Sequence, residues 1–183
     1  GSSISKMLFS NNEEINLSSQ DYVLSTIPAQ TFATFFYLNL NLKFRGVRSE
    51  YLFFRNNRVL PKGYNWIYCS DPSLSFNRIT EPPTMASAVA PEEHTYICVE
   101  TTYPGGNDPK PPTNTTDEVL EWLMSKPCFN TKGYIPNFDT YNLENYVYPI
   151  QDRSFRRDLA SYNSLVAGIN NLSVLGTGGE FHY

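Results

Sequence analysis

The stretch Tyr96-Ile97-Cys98-Val99-Glu100-Thr101-Thr102-Tyr103 decides the fold class, because aromatic and β-branched residues fill most of its positions. Residues 47–54, 66–69 and 76–80 have a similar composition, and turn-forming residues separate the four stretches. We interpret them as four strands of one sheet. The sequence therefore predicts an α+β fold with a mixed, mostly antiparallel sheet and flanking helices.

Three helices are predicted beside this sheet, over residues 29–36, 117–126 and 153–168. Pro28 fits the first turn of the first helix, where its missing N–H costs no hydrogen bond. Thr115 and Glu118 have the spacing of a capping box at the start of the second helix. Asp152 carries a carboxylate that can cap the third helix. Each predicted helix therefore has a start signal in the sequence.

Two further strands are predicted outside that sheet, over residues 21–26 and 172–175. The first leads into a helix, an arrangement that belongs to parallel or mixed sheets. We expect these two strands to lie next to each other. A small hairpin over residues 7–17 opens the chain, and surface loops are predicted over residues 82–91 and 104–112 because of their proline and glycine content.

Composition and charge exclude several classes of protein. With 183 residues, 40% of them hydrophobic, the chain is long enough to bury a core and is unlike a disordered sequence. Its net charge of −4 argues against binding to nucleic acid or to an anionic membrane surface. Apolar runs stop at four residues, so no membrane span is expected. Gly1-Ser2-Ser3 is typical of a cloning remnant and is predicted to lie outside the fold.

The cysteines and histidines indicate neither a metal site nor a disulfide framework. Cys69, Cys98 and Cys128 are odd in number and too widely spaced for either, so we expect a cytoplasmic protein. His94 and His182 have neither metal-ligand nor catalytic-triad spacing to other residues and are interpreted as surface residues.

Arg78 is the first candidate for a ligand-binding residue, because it lies inside a predicted strand where an arginine must reach solvent or a partner. One interpretation is a salt bridge with Glu81 or another carboxylate. The other is an anion site, since a guanidinium matches phosphate oxygens in a bidentate way. Tyr148 and Tyr183 could each add a hydroxyl donor, although most tyrosines are core residues with the hydroxyl at the surface. Their spacing leaves both interpretations open.

The glycine-rich stretch Gly176-Thr177-Gly178-Gly179 follows the last predicted strand. A dinucleotide-binding fingerprint needs a helix after its glycines, and only four residues follow here, so the spacing alone is a weak signal. The stretch is either a turn that leaves a buried strand or a loop whose backbone approaches a ligand closely. The residues do not decide between these two interpretations.

Five segments carry a resemblance to a known family. They are Phe44-Arg45-Gly46-Val47-Arg48, Tyr68-Cys69-Ser70, Phe76-Asn77-Arg78-Ile79-Thr80-Glu81, Tyr148-Pro149-Ile150 and the pattern Gly176-x-x-Gly179-x-Phe181-x-Tyr183. In these segments and their order, the chain resembles the later, substrate-binding part of the UDP-galactopyranose mutases. Residues 21–28 resemble a strand of the wider amine-oxidase-like FAD-dependent flavoproteins, which include protoporphyrinogen oxidases.

This resemblance implies that the full-length protein isomerises UDP-galactopyranose to UDP-galactofuranose for the biosynthesis of cell-surface polysaccharide such as lipopolysaccharide. In that family a reduced FAD displaces UDP from the anomeric carbon. The resemblance matches Arg78 to an arginine that holds the diphosphate or the sugar, and Tyr148 and Tyr183 to tyrosines that bind the diphosphate. It places Gly176, Gly178 and Gly179 at the cofactor; it identifies no catalytic residue in this chain.

The resemblance also divides the chain into parts. Residues 4–36 are interpreted as strands and a crossover helix left from an FAD-binding domain, residues 37–170 as the substrate-binding domain, and residues 171–183 as a strand and glycine-rich loop that return toward the FAD site. Because the N-terminal FAD-binding half is missing, we expect the isolated chain to bind no FAD and to be inactive. The uncovered apolar face predicts a homodimer or aggregation.

Thr177 departs from the mutase pattern, which has an arginine directly after the first glycine of the last motif. Together with residues 21–28, it favours one alternative to the mutase, the substrate domain of an FAD oxidoreductase of the amine-oxidase or protoporphyrinogen-oxidase type. A second alternative is a stand-alone module that binds a sugar nucleotide or a protein partner.

Overall fold

The computed structural model describes residues 1–113 and 115–182. They fall into two compact units, one formed by residues 46–145 and the other by residues 1–45 together with those from 146 onward. The domain boundaries implied by the family resemblance remain a prediction.

The strands are β1 (Lys6–Leu8), β2 (Glu14–Asn16), β3 (Val23–Ser25), β4 (Lys43–Phe54), β5 (Trp66–Tyr68), β6 (Arg78–Thr80), β7 (Thr95–Pro104), β8 (Thr140–Ile150) and β9 (Leu172–Val174). The helices are α1 (Ala29–Thr34), α2 (Thr116–Met124), α3 (Phe155–Ala167) and α4 (Gly176–Glu180). The predicted helices are confirmed within a few residues at each end. The proline-rich residues 82–91 contain only two single turns of 3-10 helix, Pro82–Thr84 and Ser87–Val89.

The main sheet has five strands in the order β5-β6-β7-β4-β8. Strand β6 pairs antiparallel with both β5 and β7. The four strands predicted for one sheet are therefore confirmed, and β8 adds a fifth. The predicted α+β class with a mostly antiparallel sheet is confirmed as well.

Residues 46–145 bury one face of this sheet against α2. The apolar side chains that form the core there include Leu52, Phe54, Ile79, Ile97, Val99, Val119 and Leu123. Because successive side chains of a strand point to opposite faces, the residues between these core positions must lie on the other face. That alternation separates the core from the face that carries the polar and exposed aromatic residues.

Glu81 is a buried anchor within residues 46–145. Its carboxylate accepts hydrogen bonds from the backbone N–H groups of Val59 and Leu60 and from the hydroxyl of Thr95, each at 2.8 Å. The side chain is fully buried. Glu81 therefore ties the segment after β4 to the start of β7.

A second buried carboxylate, Glu50 on β4, holds the start of α2. It accepts hydrogen bonds from the hydroxyls of Thr115, at 2.7 Å, and Thr116. Glu118 instead accepts the backbone N–H of Ser75 at 2.8 Å. The predicted capping box is therefore wrong, because tertiary contacts occupy both of its side chains.

The pKa of Glu50 reflects opposing effects. Burial raises it, but hydrogen bonds from Thr116, Thr115 and Arg48 outweigh burial and leave the pKa below the ordinary value of 4.5. The charged carboxylate is thus the form that the fold stabilises.

The other unit contains the predicted parallel pair. Strands β3 and β9 run parallel, with Val23 opposite Leu172 and Ser25 opposite Val174, so the predicted adjacency is confirmed. Strands β1 and β2 form the predicted hairpin. A separate core is built from Ala29, Phe32, Ala33, Leu42, Phe44, Tyr162, Ile169, Leu172 and Phe181.

Asp152 lies in the turn before α3 and caps the start of that helix, as predicted. Its carboxylate accepts the backbone N–H of Ser154 at 2.8 Å and that of Phe155 at 3.1 Å. Ser2 was predicted to lie outside the fold, but its backbone N–H donates to the carbonyl of Gly168 at 3.0 Å and its carbonyl accepts the N–H of Asn170 at 2.8 Å. The exclusion of this residue from the fold is therefore wrong.

Across the described residues, no helix has the length and apolar character needed to cross a membrane.

We expect Glu81→Ala to lower the free energy of unfolding by about 2–4 kcal/mol, because two buried N–H groups and one hydroxyl lose their acceptor. Urea unfolding at neutral pH measures this loss. Glu121→Ala, an exposed position on α2, is the control and should change stability by less than about 0.5 kcal/mol. An equal effect of the two substitutions would contradict the anchoring role of Glu81.

Glu50 should make stability depend on pH. Since its pKa is lower in the folded chain than in the unfolded one, its stabilising effect is complete above the unfolded value and is lost as pH falls. We expect the unfolding free energy of the wild type to fall more steeply than that of Glu50→Gln between about pH 5 and pH 3. Parallel pH profiles of the two proteins in urea unfolding would show that the carboxylate is not held in its charged form.

Candidate functional site

A groove of about 500 Å³ lies on the sheet face opposite the core of residues 46–145. Strands β4, β5, β6 and β7 all contribute to it. Its lining includes Tyr51, Trp66, Tyr68, Arg78, Cys98 and Glu100, and we call it the Arg78 groove. Cavities that bind small ligands commonly have this size and a similar mixture of aromatic and a few polar side chains.

Strand register brings the charged residues of the groove together. Arg78 lies opposite Tyr68 on β5 and opposite Glu100 on β7. Its Nη2 donates a hydrogen bond of 2.5 Å to Oε1 of Glu100. The guanidinium carbon lies 5.9 Å from the centre of the Tyr68 ring, within the range of a cation–π contact.

The sequence left open whether Arg78 forms a salt bridge or an anion site, and this geometry answers the first part. Arg78 does form a salt bridge, but with Glu100, and the pairing with Glu81 is wrong because Glu81 is buried as an anchor. The side chains of Arg78 and Glu100 are 31% and 17% exposed, so both stay accessible from the groove. The ion pair is therefore partly buried, with both side chains in the groove wall. Its position in a groove is compatible with ligand binding.

Aromatic rings surround this ion pair. Tyr51 and Tyr96 have ring centres 6.2 Å apart, and Tyr96 and Phe53 have theirs 5.7 Å apart. On the edge strand β5, Trp66 is 50% and Tyr68 is 67% exposed. The groove therefore offers rings with open faces next to a carboxylate and a guanidinium.

Cys98 forms part of the groove wall. Burial raises the pKa of its thiol, and the charge of Glu100 raises it further, against hydrogen bonds with Ser49 and Tyr51 that lower it. The net result is a pKa above the ordinary value, so the thiol is protonated at neutral pH. A protonated buried thiol is a poor nucleophile, so Cys98 serves as part of the wall.

The structure does not test the other residues that the resemblance assigns to the substrate site. Tyr148 lies half-buried on β8, in the unit formed by residues 1–45 and those from 146 onward. Tyr183 lies outside the described residues. The assignment of Arg78, Tyr148 and Tyr183 to one substrate site remains a prediction.

The glycine-rich stretch differs from the predicted loop, because residues 176–180 form the short helix α4. A Cβ on Gly178 would lie 3.5 Å from Cα of Pro28, and a Cβ on Gly179 would lie 3.5 Å from the carbonyl oxygen of Ile27. These two glycines face the chain itself. Gly176 has a φ of +81°, and a Cβ there would meet nothing within 4 Å. Of the three, only Gly176 leaves its backbone open to a ligand.

Sequence reasoning missed most of the groove. Trp66 and Tyr68 are two residues apart on one strand, so their side chains lie on the same face of the sheet. The pairing of Arg78 with Glu100 could not be read from the sequence, because it depends on the register of β6 and β7. Among the described residues, no cluster of three or more His, Cys, Asp or Glu side chains could hold a metal ion.

Comparison with known proteins finds a likeness of structure and none of sequence. No family model matches the sequence, and no curated protein is similar to it. Among solved structures, however, the chain shares its fold with part of a UDP-galactopyranose mutase and part of a second protein, which confirms the resemblance at the level of fold.

Two similar structures illustrate this fold. Reduced UDP-galactopyranose mutase matches 98% of this chain with a TM-score of 0.73 at 14% sequence identity. A protoporphyrinogen oxidase from Exiguobacterium sp. 255-15 matches 94% of it with a TM-score of 0.62, also at 14% identity. This chain spans 39% of the length of each of the two proteins.

The groove wall can be tested by cysteine modification. With iodoacetamide near pH 8, we expect the exposed Cys128 to be alkylated in the native protein while the buried Cys98 is not. Peptide mass spectrometry quantifies both sites, and unfolding in urea should make them react alike. Equal native rates at Cys98 and Cys128 would contradict the packing described for the groove.

Proposed function

We propose that this chain is the substrate-binding part of a flavoenzyme similar to UDP-galactopyranose mutase. The whole protein would isomerise UDP-galactopyranose to UDP-galactofuranose, a precursor of cell-surface polysaccharide. The observation that carries the proposal is the partly exposed side chain of Arg78 in the wall of an aromatic groove of about 500 Å³. The likeness of fold to UDP-galactopyranose mutase supports it.

The roles proposed for this chain are binding and orientation. Arg78 would hold the diphosphate or the sugar of the substrate, while Tyr148 and Tyr183 would donate hydroxyl hydrogen bonds to the diphosphate. Departure of UDP concentrates negative charge on the diphosphate, and fixed cationic and hydroxyl donors stabilise such charge better than reorganising water does.

FAD is the cofactor that we propose for the whole protein, where it would supply the chemistry at the anomeric carbon. Of the three glycines that the resemblance places at the cofactor, only Gly176 fits close approach of a cofactor, because Gly178 and Gly179 pack against residues 25–28. We propose that the bulk of the FAD site belongs to a separate FAD-binding half of the whole protein. We expect the purified chain to be colourless and inactive.

The proposed partner of this chain is that FAD-binding half. Strands β3 and β9 form a parallel sheet of only two strands, whereas parallel sheets are normally larger and covered on both faces. Leu24, Tyr22 and Leu175 beside this pair are exposed. In the isolated chain the same apolar surface would favour a homodimer. The free thiols of all three cysteines are compatible with the cytoplasmic location that we propose.

A second candidate function is an FAD oxidoreductase of the amine-oxidase or protoporphyrinogen-oxidase type. The fold likeness to a protoporphyrinogen oxidase favours it, as does Thr177 where mutases have arginine. A stand-alone module that binds a sugar nucleotide is the third candidate.

Calorimetric titration of UDP-galactopyranose into the purified chain tests the proposal. We expect saturable binding that Arg78→Ala weakens by about 1.5–3 kcal/mol, because a charged hydrogen-bond donor is lost. Arg55→Ala, at an exposed position in the same unit, is the matched control and should leave the affinity unchanged. Absence of binding, or equal affinities of wild type and Arg78→Ala, would contradict the proposed function. Saturable binding of protoporphyrin IX instead would favour the second candidate.

A further inference from the structure

The charges of the Arg78 groove do not suit a diphosphate. Arg78 is engaged by Glu100 through a hydrogen bond of 2.5 Å, so its positive charge is largely balanced within the groove. Phosphate oxygens only accept hydrogen bonds and carry negative charge. A diphosphate placed against Arg78 would therefore be repelled by the neighbouring carboxylate of Glu100.

A sugar suits the same pair of side chains. Each hydroxyl both donates and accepts, so two adjacent hydroxyls can donate to the two oxygens of Glu100 and accept from the guanidinium of Arg78. Uracil suits it less well, because its single ring N–H lies between two carbonyl oxygens that would face the carboxylate. Among the parts of a sugar nucleotide, the sugar ring is the one whose hydrogen-bonding groups complement this ion pair.

The aromatic residues of β5 add the second feature of a sugar site. Trp66 and Tyr68 are at least half exposed, and both line the groove beside Arg78. A pyranose ring has an apolar face of C–H groups, and an exposed aromatic ring gives that face a flat surface to pack against. Polar groups at one side and open rings at the other thus match the two kinds of surface on a pyranose.

We propose that the Arg78 groove binds the pyranose ring of the sugar nucleotide and leaves the diphosphate outside. Hydroxyls of the sugar donate to Glu100 and accept from Arg78, while a C–H face packs on Trp66 and Tyr68. The identity of the sugar rests on the proposed function, but the preference for a neutral sugar over an anion rests on the groove alone.

The two tryptophans of the chain provide an internal control for the test. Trp66 lines the groove, whereas Trp122 packs between Phe76 and Phe129, with ring centres 5.6 Å and 5.4 Å away. In a ¹⁵N-labelled chain we expect methyl β-galactopyranoside and UDP-galactopyranose to shift the indole N–H signal of Trp66 and not that of Trp122. UDP without the sugar should shift neither, and Trp66→Phe assigns the two signals.

Variants test the hydrogen bonds and the stacking separately. We expect Glu100→Gln and Tyr68→Ala to raise the dissociation constant for UDP-galactopyranose at least tenfold while leaving that for UDP unchanged. Tyr64→Ala is the matched control, since Tyr64 is also exposed but does not line the groove. Thermal unfolding of each variant verifies that it is folded. Tighter binding of UDP to Glu100→Gln would show that the groove is an anion site and would overturn the proposal.

The outcomes separate this inference from the proposed function. Binding of UDP-galactopyranose that none of the groove variants alters would leave the function standing and overturn the sugar site. A Trp66 shift with methyl β-galactopyranoside, without any binding of UDP-galactopyranose, would support the sugar site and contradict the function. If neither sugar ligand shifts the Trp66 signal, the proposed sugar site is wrong.

Discussion

The alternation of side chains in the pleated main sheet is the constraint on which the account of the site depends. In residues 46–145 it sends Leu52, Ile79 and Val99 into the core and leaves the positions between them on the opposite face. A shift of one residue in the pairing of β6 with β7 would exchange the two faces. The burial of Ile79 and Val99 therefore also determines that Arg78 meets Glu100 across the strands.

Two buried carboxylates stabilise this arrangement through side-chain hydrogen bonds, in addition to the backbone hydrogen bonds of the sheet. Glu81 satisfies the N–H groups of Val59 and Leu60, and Glu50 receives the hydroxyls at the start of α2. Both belong to the framework and neither lines the groove. Arg78 and Glu100 differ from them, because this partly buried ion pair lies in the groove wall, where a bound molecule can contact it.

Much of the architecture was predictable because composition determines local structure strongly. Four strands of the main sheet, the parallel pair β3–β9 and the helices α1, α2 and α3 follow from β-branched residues, proline and apolar periodicity, whereas β8 and α4 were not predicted. The predicted capping box at Thr115 and Glu118 is wrong, because a local pattern does not show which distant residues bind the same side chains. Here Thr115 donates to Glu50, and Glu118 accepts from Ser75.

The site was less predictable than the fold. Arg78 was recognisable as a charged residue within a strand. The sequence did not show whether its partner was Glu81 or another carboxylate, because the pairing of β6 with β7 was not known. Register selects Glu100, and register depends on how many residues each connection contains. The aromatic surface of Trp66 and Tyr68 is visible in the sequence only once β5 is known to lie beside β6.

A crystal structure of this chain soaked with UDP-galactopyranose would test the central claim most directly. The account predicts ordered density for the sugar ring against Trp66 and Tyr68, with hydroxyls within hydrogen-bond distance of Glu100 and Arg78. Density that places the diphosphate on Arg78, with the carboxylate of Glu100 turned away and the sugar outside the groove, would contradict it.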